Sequence, residues 1–112
     1  MNYRFVFTAW FNRNLKRLSR RNRHFRTDLE LFLSTLNVDL HPIIPHTDGA
    51  RKARMKSAGR GKSGGYRVIY YFAEGDAVWL LTIYSKVSQE NLSSSDYARI
   101  RQLIQEIKQQ NR

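Results

Sequence analysis

Apolar residues in the first half of the chain switch from a period of two to a helical period. Residues 3–8 alternate as a short strand does, and residues 9–21 predict a helix. Asn22 interrupts this pattern before a second helix, which is predicted from about residue 24 to residue 37. The short joint indicates a helical hairpin, and two prolines make residues 38–48 a connection. The predicted buried stripes of the two helices are Phe11, Leu15 and Leu18, and then Phe25, Leu29, Phe32, Leu33 and Leu36.

The second half of the chain is typical of a strand meander. Residues 51–57 alternate apolar side chains with cations and predict a strand, and the glycine-rich residues 57–65 predict a loop. Residues 66–73 and 77–85 are strongly β-forming and are separated by a tight turn. The segment 77–85 is apolar on both faces, so we expect it in the middle of the sheet.

A helix is predicted to close the chain. Ser93 and Asp96 have the spacing of a capping box, in which each side chain accepts a hydrogen bond from the other residue's backbone N–H. The positions that then form one apolar stripe are Tyr97, Ile100, Leu103, Ile104 and Ile107. The element order is therefore β-α-α-β-β-β-α. It predicts an α+β fold in which a helical hairpin packs on a small, mostly antiparallel sheet.

Length and composition limit the classes of protein to consider. With 112 residues the chain is expected to form one domain, residues 1–112. It contains no cysteine, which excludes disulfides, thiolate metal sites and cysteine nucleophiles. The N-terminus carries Arg4 within its apolar run and does not resemble a signal peptide. No apolar stretch approaches the roughly 20 residues that span a bilayer, so we expect a cytoplasmic protein that is not embedded in a membrane.

Charge carries more information about the partner. Twenty Lys and Arg residues against nine Asp and Glu residues give a formal net charge of +11. Such a field attracts polyanions and binds phosphate backbones through counterion release. Nucleic acid is the leading partner, an anionic membrane surface is second, and an acidic protein partner is compatible with either. A purely solubilising surface would allow mixed signs.

The glycine-rich loop contains two apparent phosphate-binding motifs that fail on their context. Gly59, Gly61 and Gly64 match the spacing of the dinucleotide fingerprint, but a strand follows them where the fingerprint needs a helix. Residues 61–63 resemble the end of a Walker A loop, but Lys56 stands where that motif needs a glycine. Neither motif predicts a nucleotide cofactor.

Neither a metal nor any other cofactor is predicted. His24, His41 and His46 lack the spacing of a metal pair, so we interpret them as histidines of surface loops. Between Gly49 and Ala73 there are seven Lys or Arg residues and no acidic residue. A two-metal nuclease needs carboxylates for its ions, so this acid-free segment argues against one.

The same acid-free segment is the candidate site. Period-two geometry places Lys52, Arg54 and Lys56 on one face of their strand. Arg67 enters from the neighbouring strand, and Lys86 lies just past the end of the third. A concave cationic sheet face can bind a phosphodiester. The alternative is a solvated edge strand, since lysine commonly blocks edge pairing.

Three stretches of the second half resemble the RelE superfamily of toxins, and most of all its HigB-type branch. They are residues 51–55 (RKARM), 61–72 (GKSGGYRVIYYF) and 80–86 (LLTIYSK). The likeness is specific across residues 49–93 and is only a pattern of elements before them. The fold that the resemblance implies has an N-terminal strand, a helical hairpin, a three-stranded antiparallel meander and a C-terminal helix. It is the order that the hydrophobic pattern predicts.

The resemblance implies the toxin of a type II toxin–antitoxin system, a ribosome-dependent endoribonuclease that cleaves mRNA and inhibits translation. Its implied partners are a cognate antitoxin, the ribosome and mRNA. Lys52, Arg54, Arg67 and Lys86 fall on basic positions of the family's active face. The chain departs from the family in having Arg54 where a lysine is usual. It also has no tyrosine within residues 91–94, near the start of the last helix.

Metal-free RNA cleavage uses the ribose 2′-OH as nucleophile and needs a base, cations and an acid. Lys52 is the candidate base, because clustered cations disfavour its protonated form. Arg54 and Arg67 suit a phosphate clamp, and Lys86 could stabilise the transition state or protonate the leaving group. The residues predicted to contact flanking RNA or ribosomal RNA are Lys56, Arg60 and Lys62. Tyr66 could stack on a base, and a core or edge aromatic is the alternative.

Two other functions stay open at this point. ParE-type toxins share the fold and inhibit DNA gyrase without being nucleases, although such toxins have no need of a phosphodiester site. A non-catalytic RNA- or ribosome-binding module would also explain the charge.

Overall fold

The computed structural model describes residues 2–58 and 65–110 of the protein. Its elements follow the predicted β-α-α-β-β-β-α order of an α+β fold, with one additional 3-10 turn, Val38–Leu40. They are β1 (Arg4–Phe7), α1 (Ala9–Arg21), α2 (Phe25–Ser34), β2 (Arg51–Lys56), β3 (Gly65–Phe72), β4 (Ala77–Ser85) and α3 (Ser94–Gln110).

The four strands form one sheet in the order β1-β4-β3-β2. Strands β2, β3 and β4 pair antiparallel as the predicted meander, and β1 pairs parallel to β4 at the other edge. The prediction that the segment apolar on both faces lies inside the sheet is confirmed, because β4 has a neighbour on each side. Glu74, Gly75 and Asp76 form the turn between β3 and β4, with Gly75 and Asp76 at positive φ.

The two faces of the sheet pack against different helices. The hairpin of α1 and α2 covers one face, where Phe11 and Phe25 are fully buried against β2, β3 and β4. Helix α3 covers part of the opposite face and buries Ile100 and Ile104 against Ile69 and Leu81. Because α3 leaves the β2 side of this face open, charged side chains there reach solvent.

Thr8 joins the helical hairpin to the centre of the sheet. Its hydroxyl oxygen accepts a hydrogen bond from the backbone N–H of Phe11 and so caps α1. The same hydroxyl is 2.9 Å from the carbonyl of Leu80 and 3.0 Å from that of Leu81, to which it donates. The start of α1 is therefore tied to β4.

The connection between the hairpin and β2 is packed more closely than predicted. Helix α2 ends at Ser34, three residues before the predicted end, because the chain tightens into i→i+3 hydrogen bonds there. The interpretation of His41 as a surface-loop histidine is wrong. Its Nδ1 lies 2.7 Å from the hydroxyl of Tyr70, and its ring stacks on Phe32. Burial, and then the nearby charge of Arg51, lower the pKa of His41.

The predicted capping box is present at the start of α3. The backbone N–H of Ser93 donates to Oδ2 of Asp96 at 3.0 Å, and that of Asp96 donates to Oγ of Ser93 at 3.1 Å. This cap orients a helix whose buried stripe closes the second core.

Replacing Ser93 by Ala should lower the free energy of unfolding by about 1 kcal/mol, since it removes the oxygen that accepts from Asp96. Urea denaturation followed by circular dichroism measures this change. Ser94→Ala, one residue further into the helix, is the matched control and should not lower the stability. Equal stabilities of both variants would contradict a contribution from the cap.

Candidate active site on the open sheet face

Three residues stand side by side across β2, β3 and β4 on the face that α3 only partly covers. Arg54 pairs with Arg67 in the antiparallel register, and Arg67 pairs in turn with Tyr84. Directly opposed residues of neighbouring strands project from the same face of a sheet. The register therefore brings the two arginines together, as the sequence pattern predicts, and adds a tyrosine to them.

The lysines of β2 extend this row along the strand. Lys52 is half-buried and Lys56 is exposed, whereas Ala53 and Met55 between them are buried against the helical hairpin. We call the face formed by Lys52, Arg54, Lys56 and Arg67 the cationic sheet face. The predicted clustering of these four residues on one face is confirmed, and their roles in catalysis or binding stay predictions.

Lys86 lies at the same end of the sheet. It directly follows β4, and its backbone N–H donates to the carbonyl of Gly65, the first residue of β3. Gly65 pairs with Lys56 at the end of β2. Lys86, the last of the four residues predicted to act in catalysis, is thus adjacent to the end of the cationic sheet face.

Arg67 is the most unusual of these cations because it is buried. Only 9% of its surface is exposed. Within the described ranges its guanidinium makes one hydrogen bond, a long one of 3.4 Å from Nη1 to the backbone carbonyl of Tyr66. Buried charges in proteins are normally paired, and like charges directly opposite each other in a sheet are destabilising. The fold therefore holds here a cation that is suited to an anionic ligand.

Arg51, on the neighbouring strand β2, shows what a structural arginine in this sheet looks like. Its Nη1 donates to the carbonyl of His41 at 2.7 Å and to that of Val38 at 3.1 Å. These bonds anchor the connection before β2 to the sheet. Arg51 is thus engaged by the fold, in contrast to Arg67.

Tyr84 is a candidate site residue that the sequence did not identify. Its hydroxyl is buried and has no hydrogen-bond partner among the residues that the structure describes. Burial raises the pKa of Tyr84, and the charge of Arg67 opposes this rise. The hydroxyl therefore stays protonated at neutral pH and can donate. The only signal in the sequence is the position of Tyr84 on the strand next to Arg67.

Tyr66 is a core aromatic in the structure, which is the alternative to base stacking that the sequence left open. Tyr66 is 3% exposed and lies on the hairpin side of the sheet, since it alternates with Arg67. Its ring packs edge-on against Phe25 with the centroids 5.0 Å apart, and its hydroxyl accepts from Nδ2 of Asn22. Arg60 and Lys62, the other predicted RNA-binding residues of this region, lie outside the described residues.

In the described part of the chain, no three His, Cys, Asp or Glu side chains come together in a way that could hold a metal ion. No helix there is both long enough and apolar enough to cross a membrane.

A comparison with known protein families identifies the family of the chain. Residues 45–112 match the family described as "RelE toxin of RelE / RelB toxin-antitoxin system". The match spans well over half of the chain and includes β2, β3, β4 and α3. A toxin of such a system has a cognate antitoxin as its partner. The chain therefore belongs to the RelE toxin family of toxin–antitoxin systems.

Proposed function

We propose that this toxin is a metal-independent, ribosome-dependent endoribonuclease that cleaves translated mRNA. The scissile phosphodiester would bind to the cationic sheet face, and the assignment to the HigB-type branch rests on the resemblance of residues 51–55, 61–72 and 80–86. The ribosome and mRNA are thus proposed partners in addition to the antitoxin.

One observation carries this proposal. Arg67 keeps a guanidinium in a nearly buried position directly opposite Arg54, on a segment that contains no acidic residue. A planar guanidinium binds phosphate oxygens in pairs, and a second cation beside it stabilises the additional charge of a pentacoordinate transition state. An inhibitor that acts only by occupying a protein surface has no need of such an arrangement.

The reaction needs one proton acceptor and one proton donor around this clamp. Lys52 takes the proton of the ribose 2′-OH, and the 2′-oxygen forms a bond to phosphorus. Arg54 and Arg67 hold the non-bridging oxygens as the charge on them increases. The bond from phosphorus to the 5′-oxygen then breaks, and Lys86 supplies the proton to that oxygen. The products are a 2′,3′-cyclic phosphate and a free 5′-OH.

Arg67→Met should stabilise the isolated toxin by about 1 kcal/mol, because it removes a like charge directly opposite Arg54. Arg51→Met is the matched control on the same sheet and should destabilise the protein, since it loses two hydrogen bonds to backbone carbonyls. Chemical denaturation at low salt measures both free energies. A clear loss of stability in Arg67→Met would mean that Arg67 serves the fold rather than an anion.

The double variant Lys52→Ala/Arg67→Ala should abolish growth arrest and reduce mRNA cleavage by about 100-fold or more, because it removes the proposed base and half of the clamp. It should still be folded and should still co-purify with the antitoxin. Arg13→Ala/Lys16→Ala on α1 is the control with the same change of charge and should remain toxic. A fully toxic Lys52→Ala/Arg67→Ala variant would show that the proposed site is wrong.

Primer extension on cellular mRNA after induction of the toxin should show breaks in phase with the codons of translated regions. The purified toxin should cut naked RNA of the same sequence poorly, because the ribosome orients the strand. Efficient cleavage of free RNA would remove the ribosome dependence. Intact mRNA together with arrested DNA gyrase would instead support a ParE-type inhibitor.

A further inference from the structure

A cleft runs between helix α1 and the connection from β4 to α3, at the end of the sheet where Tyr66 pairs with Ser85. Its outer part has a volume of about 390 Å³, within the range of about 300–1,000 Å³ that is typical of ligand sites. Arg17 and Arg21 of α1 line one side, and Ser85 and Gln89 line the other. We call this space the side cleft.

The outer part of the side cleft is built for an anion. Arg17 and Arg21 are both exposed, and none of the residues that line this part carries a carboxylate. The chain has no acidic residue before Asp28, so the charge of α1 is not neutralised locally. The hydroxyl of Ser85 adds a polar group on the opposite wall. Two arginines one helical turn apart can bind consecutive or shared phosphate oxygens.

The inner part of the side cleft suits a neutral polar group. It measures about 190 Å³ and shares Arg17 and Gln89 with the outer part. Tyr84 lines it, and the hydroxyl of Tyr84 is buried without a hydrogen-bond partner among the described residues. Asp96 is also in its wall, but Oδ2 of this carboxylate already accepts from Gln89 and from the backbone of Ser93. A phosphate therefore fits the outer part, and a nucleobase or ribose fits the inner part.

Tyr84 makes the side cleft continuous with the proposed cleavage site. It stands directly opposite Arg67 in the sheet and also lines the inner part of the cleft. Neighbouring strands are about 4.8 Å apart, so one strand step leads from the clamp to the cleft. Helix α1 packs on the other face of the sheet, so an RNA strand bound at the clamp would reach it around the edge of β4 beyond Leu80, where β1 no longer pairs with β4. The bases of a single strand can be splayed apart along such a path.

We propose that the side cleft is a second RNA subsite, in which Arg17 and Arg21 bind the phosphate of a single-stranded nucleotide next to the cleavage position. This inference rests on the proposed function, because it extends the path of the same RNA strand. It assigns a role to two of the many cations of α1 and none to Arg13 and Arg20. Those two residues lie on the same helix and line neither part of the side cleft.

The test uses a fluorescent single-stranded RNA oligonucleotide with 2′-O-methyl riboses, which can bind but cannot undergo 2′-OH attack. Fluorescence anisotropy at several salt concentrations gives its Kd and the salt dependence. Arg17→Gln/Arg21→Gln should weaken binding by at least about tenfold and reduce the salt slope by about 0.7, the value for one neutralised phosphate on a single strand. The matched control Arg13→Gln/Arg20→Gln removes the same charge and should change the Kd by much less.

Equal weakening by the two double variants would overturn the subsite, because only the overall field would then matter. It would also be overturned if Arg17→Gln/Arg21→Gln kept its affinity for RNA but lost the antitoxin in co-purification. The single variants Arg17→Gln and Arg21→Gln replace the double variant if it loses its cooperative thermal transition. Since binding is measured without cleavage, a failed subsite and a failed nuclease assignment give different results. The first shows in the Kd values, and the second shows as intact translated mRNA with the unaltered toxin.

Discussion

Strands β3 and β4 pair along almost their whole length, and both helical layers pack against this pair. The hairpin of α1 and α2 is tied to β4 through Thr8, and α3 buries its stripe against Ile69 and Leu81 on the other face. Strand β2 then needs only one partner, β3, to carry its lysines and Arg54 along an open face. The rigidity of the candidate site therefore comes from the central strand pair.

The cationic sheet face shows a conflict between stability and binding. Arg67 and Arg54 oppose each other, and one of them is nearly buried, although nothing in the segment 49–73 is acidic. Arg51 on β2 is also an arginine, but its guanidinium donates hydrogen bonds to two backbone carbonyls. Functional sites commonly keep groups that the fold alone would not favour. An RNA phosphate, or an acidic segment of the antitoxin, would remove this conflict on binding.

Local patterns predicted most of the fold and part of the site. The element order, the capping box of Ser93 and Asp96, and the shared face of the β2 cations follow from spacing along one segment, and the structure has all of them. Local patterns did not describe the contacts between distant segments. His41 meets Tyr70, and Tyr66 meets Phe25, across separations that no local period describes. The end of α2 was also predicted too late, because its last turn tightens against the connection.

The sequence by itself determined which residues alternate between the two faces of each strand and where the helices begin. It also determined that one face of β2 is positively charged. The tertiary structure alone decided that Tyr84 joins this face. The register of β3 and β4 shifts by one residue between Ile69 and Tyr70. Without that shift, the residue pairs counted from the turn would place Arg67 opposite Ile83. Tyr84 would then point into the core under the hairpin. A one-residue slip reverses every side chain beyond it, and only the packing of both faces selects the register.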